Sequence, residues 1–297
     1  MRIMDYPKAT EIVKGQTFLN VDSAQAGTKA IEADDLRKQL MKFVSAEEYY
    51  DFLDHINIPI ILRRNIGRGK NLGSEVTDEQ KAHIADGTFR GIFIGDYWEQ
   101  GGFTWRVADI DYWYGTADPM NATHHVVIVP DQRLGNSVYT YNFNMNTADT
   151  VVGAYANSEM KTKWLPQITN IIRDFAHGNL LTYRNLFANA TSQDGYAAAG
   201  SWYVTDVDLM NEPMVFGSYI LMHGVTTTEI PYRFTIDKTQ LSLFKLFPEF
   251  INRQRISYWL RDVISKNSFS TITSTGYASY SGSSATLGVR PVFGITG

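Results

Sequence analysis

Residues 288–295 read Gly-Val-Arg-Pro-Val-Phe-Gly-Ile. Val289, Val292 and Ile295 have the character of a buried closing strand, and Arg290 and Pro291 interrupt it. Pro291 has no N–H to donate, so the strand is expected at a sheet edge or at a bulge. A guanidinium buried beside it needs a carboxylate or several carbonyl oxygens, because an unpartnered buried charge is costly. Asp262, another acidic residue or backbone carbonyls are the expected partners, and Arg261 is expected to play a similar structural part. No disulfide can help to hold this strand, since the chain has no cysteine.

Around that strand, 297 residues with 44% hydrophobic and 13% aromatic content are enough for one large core or two domains. The net charge of −4 gives no broad attraction for a polyanion, so nucleic acid is not an expected partner. The absence of cysteine excludes a disulfide scaffold, a thiolate metal site and cysteine nucleophiles. The opening residues MRIMDYPKATEIVKGQ lack the apolar run of a secretory signal. No segment approaches the roughly 20 apolar residues of a membrane span, so a soluble product without membrane insertion is expected.

Residues 1–44 read as a small N-terminal module, with a strand at 17–21 and a helix carrying Leu36, Leu40 and Phe43. Ser45 followed by Glu48 is a capping-box pattern opening a helix with Tyr49, Phe52, Leu53 and Ile56 on one stripe. Residues 45–66 are accordingly read as a helical connector, and 67–297 as the main domain. Thr77 with Gln80 and Gly87 frames another helix. The period then changes: 91–113 is two aromatic and β-branched runs around Gly101 and Gly102, a β-hairpin pattern. Residues 124–131, HHVVIVPD, read as a strand buried on both faces. Helices are expected at 158–176, with an interruption or start at Pro166, and at 206–217, and strands and loops follow Pro248. Helices and strands in separate runs predict an α+β fold with small mixed or antiparallel sheets and a few helices.

Several groups could carry chemistry. Arg63, Arg64, Arg68 and Lys70 could meet phosphate, but Asn71 follows Lys70 where a phosphate loop needs Ser or Thr, and a solvated loop is the plainer reading. Asp109 and Asp111, on one strand face about 7 Å apart, could act as the carboxylate pair of a glycoside hydrolase, or simply line a wetted face or cap loops. His124 and His125 would point to opposite strand faces, and the other histidines lack ligand spacing, so no metal site or cofactor is expected. Asn211-Glu212-Pro213 has the residue types of a calcium-dependent sugar site in another order, and helix capping explains it better. Asn121-Ala122-Thr123 is a glycosylation sequon with meaning only in a glycosylating cell. Residues 266–286 combine hydroxyl side chains with Phe269, Tyr277 and Tyr280, a composition shared by adaptable binding surfaces and by polar hairpins.

The segments GDYW (95–98), RVADIDYWY (106–114), HHVVIVPD (124–131), VDLMNE (207–212), YWLRD (258–262) and GVRPVF (288–293) together resemble bacteriophage virion proteins with a C-type-lectin-like domain. That group includes phage tropism determinants and, more remotely, formylglycine-generating enzymes. The resemblance covers roughly 67–297, and residues 1–44 resemble short modules that fix fibre proteins to a particle. It implies loops on one face that bind the host, here Asn267, Ser268, Phe269, Ser270, Thr271, Thr273, Thr275, Tyr277, Ser279, Tyr280, Ser283 and Ser284. Trp259, Arg261, Asp262 and Arg290 would be structural. The cysteine pair of the enzyme branch and the disulfides and calcium motif of animal lectins are missing, so neither activity transfers.

The expected protein is thus a non-enzymatic tail- or head-fibre adhesin, made in the bacterial cytoplasm and carried on the virion surface. Its partners would be other virion proteins and a bacterial surface glycan or protein. Weak surface binding favours a homo-oligomer, with a trimer as the working expectation. The alternatives are a decoration protein that binds no receptor and a polysaccharide-processing enzyme using Asp109 and Asp111.

Overall fold

The computed structural model describes residues 45–135, 140–221 and 239–297. The strand and helix expected within 1–44 lie outside the described residues. The chain divides into two compact units, Met1–Pro59 and Ile60–Gly297. In the first, α1 (Ala46–His55) starts where the capping pattern placed it, with Ser45 accepting from the Glu48 N–H. The second begins upstream of Gly67, with the single turn α2 (Ile60–Arg63).

The second unit is mixed α and β, dominated by small sheets. Thr77 and Gln80 form the reciprocal capping box of α3 (Asp78–Ala85). β1 (Tyr97–Gln100) and β2 (Phe103–Ile110) pair antiparallel around Gly101 and Gly102. Both glycines have positive φ, as a tight hairpin turn of matching twist demands. β3 (Val126–Pro130) is buried at every position. The first sheet runs β1-β2-β3-β12-β7, where β12 is Pro291–Ile295 and β7 is Val207–Leu209.

The second sheet contains β4 (Asn142–Phe143), β8 (Tyr258–Ser265), β9 (Ser268–Ile272), β10 (Ala278–Gly282) and β11 (Leu287–Gly288), in the order β10-β9-β8-β11-β4. β5 (Tyr183–Thr191) and β6 (Ala197–Thr205) form a separate two-stranded hairpin.

Two expectations about individual elements change here. Residues 206–217 are not one helix: β7 is followed by the short α5 (Glu212–Phe216), which Asn211 caps by accepting from the Met214 N–H. Pro291 does not mark an edge either, because β12 lies between β3 and β7. It is tolerated as the first residue of the strand, where a missing donor costs least. The expected helix 158–176 is present as a π-helical turn, Met160–Trp164, running into α4 (Leu165–Ala176) with Pro166 in its first turn. α4 buries Ile168, Ile172 and Phe175, and Phe175 stacks on Trp105 with centroids 4.8 Å apart.

Val289 and Arg290 carry the chain from β11 in the second sheet to β12 in the first. Arg290 is 4% exposed. Its partners are carbonyls, not Asp262: Nε donates to Pro130 at 2.6 Å, and Nη1 to Phe250 at 2.8 Å and Ile251 at 3.0 Å. Phe244 and Tyr258 offer ring faces at 5.6 Å each. Arg261 behaves similarly, donating to Leu209 O while its guanidinium sits over Phe187. Asp262 accepts from the Glu212 N–H, and buried Trp259 donates to Phe143 O.

The basic stretch 63–70 is not a solvated loop. Arg63 is fully buried over Phe93, Arg64 forks onto Asp109, and Arg68 forks onto Asp96. Asp96 also accepts from the backbone N–H groups of Gly69, Lys70 and Phe93, and such a buried carboxylate requires this many donors.

Arg290→Met should leave the Pro130, Phe250 and Ile251 carbonyls without their donor. The expected loss is about 3 kcal/mol in unfolding free energy, read from urea titration with an unchanged slope. Arg290→Lys should recover only part of it, since an ammonium cannot reproduce the planar fork.

Candidate functional site

The stretch 266–286 does not form one surface. Ser268, Phe269, Ser270 and Thr271 lie on β9 and are buried, as is Ser283, so these five cannot contact a receptor and are corrected to structural positions. β9 is central, with β8 on one side and β10 on the other, and successive side chains are buried, so both of its faces are covered. Ser270 Oγ donates to the buried Glu212 carboxylate at 2.6 Å. Thr273, Thr275 and Tyr277 sit at the β9–β10 turn, and Ser279 and Tyr280 on the edge strand β10, with Tyr277 73% and Tyr280 59% exposed. Asn267 and Ser284 lie at the opposite end of that hairpin, both exposed.

At the Asn267 end several connecting segments converge. Asn267 Nδ2 donates to Asp149 Oδ2 at 2.8 Å, Ser284 Oγ to Asp149 Oδ1 at 3.4 Å, and Ser283 Oγ to Ala148 O at 3.2 Å. The N–H groups of Met145 and Asn146 both donate to Ser283 O. These bonds fix the 145–150 loop to the sheet end. Asn157 Nδ2 bridges Gly153 O and Asn189 O, which fastens the next turn to β5. The tip of the β5–β6 hairpin closes the arrangement: Gly195 has φ +86, and a Cβ there would overlap the backbone of Ser265 and Lys266.

Between these segments lies an open groove of about 570 Å³. Its lining comprises an apolar part (Val151, Val152, Gly153, Ala190) and a polar part (Asn189, Thr191, Ser192, Gln193, Lys266), with Gly195 at the hairpin tip. That size falls within the roughly 300–1,000 Å³ of small-ligand sites. Thr191, Gln193 and Lys266 make no side-chain hydrogen bond or ion pair among the described residues, so their polar groups are available to a ligand. Sequence reading missed this site. Asp194-Gly195 between two β-rich runs is a hairpin signal, but nothing local says that its tip meets Lys266.

No family model, curated protein or solved structure matches the chain.

The other candidates resolve into structural roles. Asp109 is fully buried: its oxygens accept from Arg64 Nε (2.6 Å), Arg64 Nη2 (3.0 Å), the Ile110 N–H and both Ser242 N–H and Oγ. Asp111 lies beyond the end of β2 with φ 52, so the two carboxylates do not share a strand face as expected. It accepts from His124 Nδ1 at 2.7 Å and the His125 N–H at 2.9 Å. Both histidines precede β3 and gather at Asp111 instead of diverging, yet no group of three metal-ligating side chains occurs among the described residues. Asn121 of the sequon is bonded through both side-chain atoms to the Arg184 backbone.

His125 Nε2 accepts from the Trp113 N–H, so Nδ1 carries the proton and donates to Thr123 O at 2.8 Å. Burial pushes its pKa below the usual 6.5; the hydrogen bond to Thr123 O, then Asp111 and Asp109, oppose this and His124 reinforces it. An unfolded histidine takes up a proton as pH falls through 6.5 while the folded one resists. Stability should therefore be full above that pH and decline below it, levelling off once the folded imidazole titrates. His125→Gln should flatten the decline between about pH 7 and pH 5 in urea unfolding.

Proposed function

We propose that the chain is a bacteriophage virion adhesin whose C-terminal unit, of C-type-lectin-like architecture, contacts the host surface through the groove beside Lys266. The observation that carries this is the convergence of the 145–153 loop, the β5–β6 tip and the 265–267 turn on one open groove, mounted on two sheets. A rigid scaffold presenting irregular loops at one end suits recognition. Two small sheets between which the chain passes repeatedly also suit a lectin-like domain. On this reading Asn267 and Ser284 are supports for the rim, and the ligand meets Lys266, Gln193 and Thr191. Residues 1–44 would attach to the particle, and a homo-oligomer, as a trimer, would raise avidity about 10²–10⁴-fold. The protein would be made in the bacterial cytoplasm and displayed on the virion, with no enzymatic turnover.

The full-length chain, fluorescently labelled, should bind a subset of bacterial strains and compete with adsorption of the phage that encodes it. Gly195→Val, which cannot keep the close approach to Lys266, should cut binding about tenfold or more if it displaces one key contact. Binding to no strain that the phage adsorbs to would overturn the adhesin reading in favour of a decoration protein.

A further inference from the structure

We infer that the groove takes a carboxylate-bearing saccharide, with the Lys266 ammonium holding the carboxylate; this rests on the adhesin reading above. Charge supplies the first reason. Lys266 is the single charged side chain lining the groove, it is exposed, and it has no ion pair among the described residues. Elsewhere in this unit Arg64, Arg68, Arg106 and Lys161 each pair with a carboxylate. Asp149, which reaches the neighbouring turn, is bonded by Asn267 and Ser284 and not by Lys266. The groove is therefore lined by one cation that has no ion-pair partner among the described residues.

The second reason is the character of the walls. A pyranose ring alternates aliphatic C–H faces with a rim of hydroxyls, and it asks for small apolar surface beside neutral donors and acceptors. Val151, Val152 and Ala190 supply the first. Gln193 and Thr191 supply the second, and Ser192, whose Oγ accepts from the Tyr196 N–H, keeps its own O–H to donate. Uncharged amide and hydroxyl groups make oriented hydrogen bonds at little desolvation cost, which discriminates hydroxyl stereochemistry better than charge does. A single lysine in a protein of net charge −4 is too little to hold a polyphosphate chain.

The test uses the full chain and ligand-observed NMR with calorimetry. The probes are trigalacturonic acid and a short oligosialic acid, each beside its methyl ester, with hexaglutamate as an acidic peptide. At least one acid should bind, its neutral ester about tenfold more weakly, as expected for losing a charge-assisted hydrogen bond at a solvent-facing site. Lys266→Gln should abolish the difference between acid and ester, Lys266→Arg should retain it, and added salt should weaken only the acid. Equal binding of acid and ester, or a difference that survives Lys266→Gln, overturns the inference. So does hexaglutamate binding more tightly than either saccharide, or host-cell binding that persists while neither acid binds. Those results leave the adhesin reading standing, whereas loss of host-cell binding by the unmodified chain is the failure of that reading itself. Lys266 is exposed, so its variants should unfold at the same temperature as the parent.

Discussion

The guanidinium of Arg290 sits where the chain leaves one sheet for the other, and its hydrogen bonds decide how the two sheets meet. Pro130 ends β3 in the first sheet, while Phe250 and Ile251 belong to the turn that precedes β8 in the second. One planar cation thus satisfies carbonyls from both sides of the joint, where a neutral side chain would leave them buried without donors. The same logic recurs within each layer. Asp131 is forked by Arg106, and Asp208 accepts from Lys161, Tyr155, Tyr183 and Thr205. Burial raises the Tyr155 pKa well above its ordinary value, with Asp208 adding to the effect, so its hydroxyl remains a donor. Apolar burial supplies most of the driving force for folding. The paired charges act on placement: a one-residue slip of β2 would turn Asp109 away from Arg64 and leave both unmatched.

With the sheets fixed in this way, irregular structure collects where the strands end. The groove needs no element of its own. It exists because Gly195 lets the β5–β6 tip touch the β8–β9 turn and because Asp149 ties the 145–150 loop to the same turn. Its walls come from three stretches far apart in the chain, and the bonds that hold the loops in place also leave Lys266 pointing to no carboxylate among the described residues.

Local signals were legible from the residues alone. The Thr77 capping box, the Gly101-Gly102 hairpin, the buried β3 and the apolar stripe of α4 each depend on neighbours within a few positions. The carbonyl partners of Arg290 were also foreseeable, because a buried guanidinium leaves few choices. What failed was long-range. The basic run 63–70 has its carboxylates 28 and 45 residues away, so it looks like a solvated loop until Asp96 and Asp109 are brought to it. Pro291 reveals a missing donor but not that β7, its neighbour, is only three residues long and starts its pairing there. Val207-Asp208-Leu209 is too short for its period to distinguish strand from helix. The hydroxyl-rich segment 266–286 stands out by composition, and composition does not say which half of a hairpin is interior.

The central position of β12 also sets an order of events during synthesis. β3 and β7 are joined only through residues 291–295, so on the ribosome both strands are made long before the strand that unites them. Until then the Val126–Pro130 edge, apolar on both faces and carrying no charge, stands open. A nascent chain in that state is a template for pairing with its neighbours on the same message. That hazard falls among chains growing side by side, and the delay before Arg290 emerges measures how long it lasts.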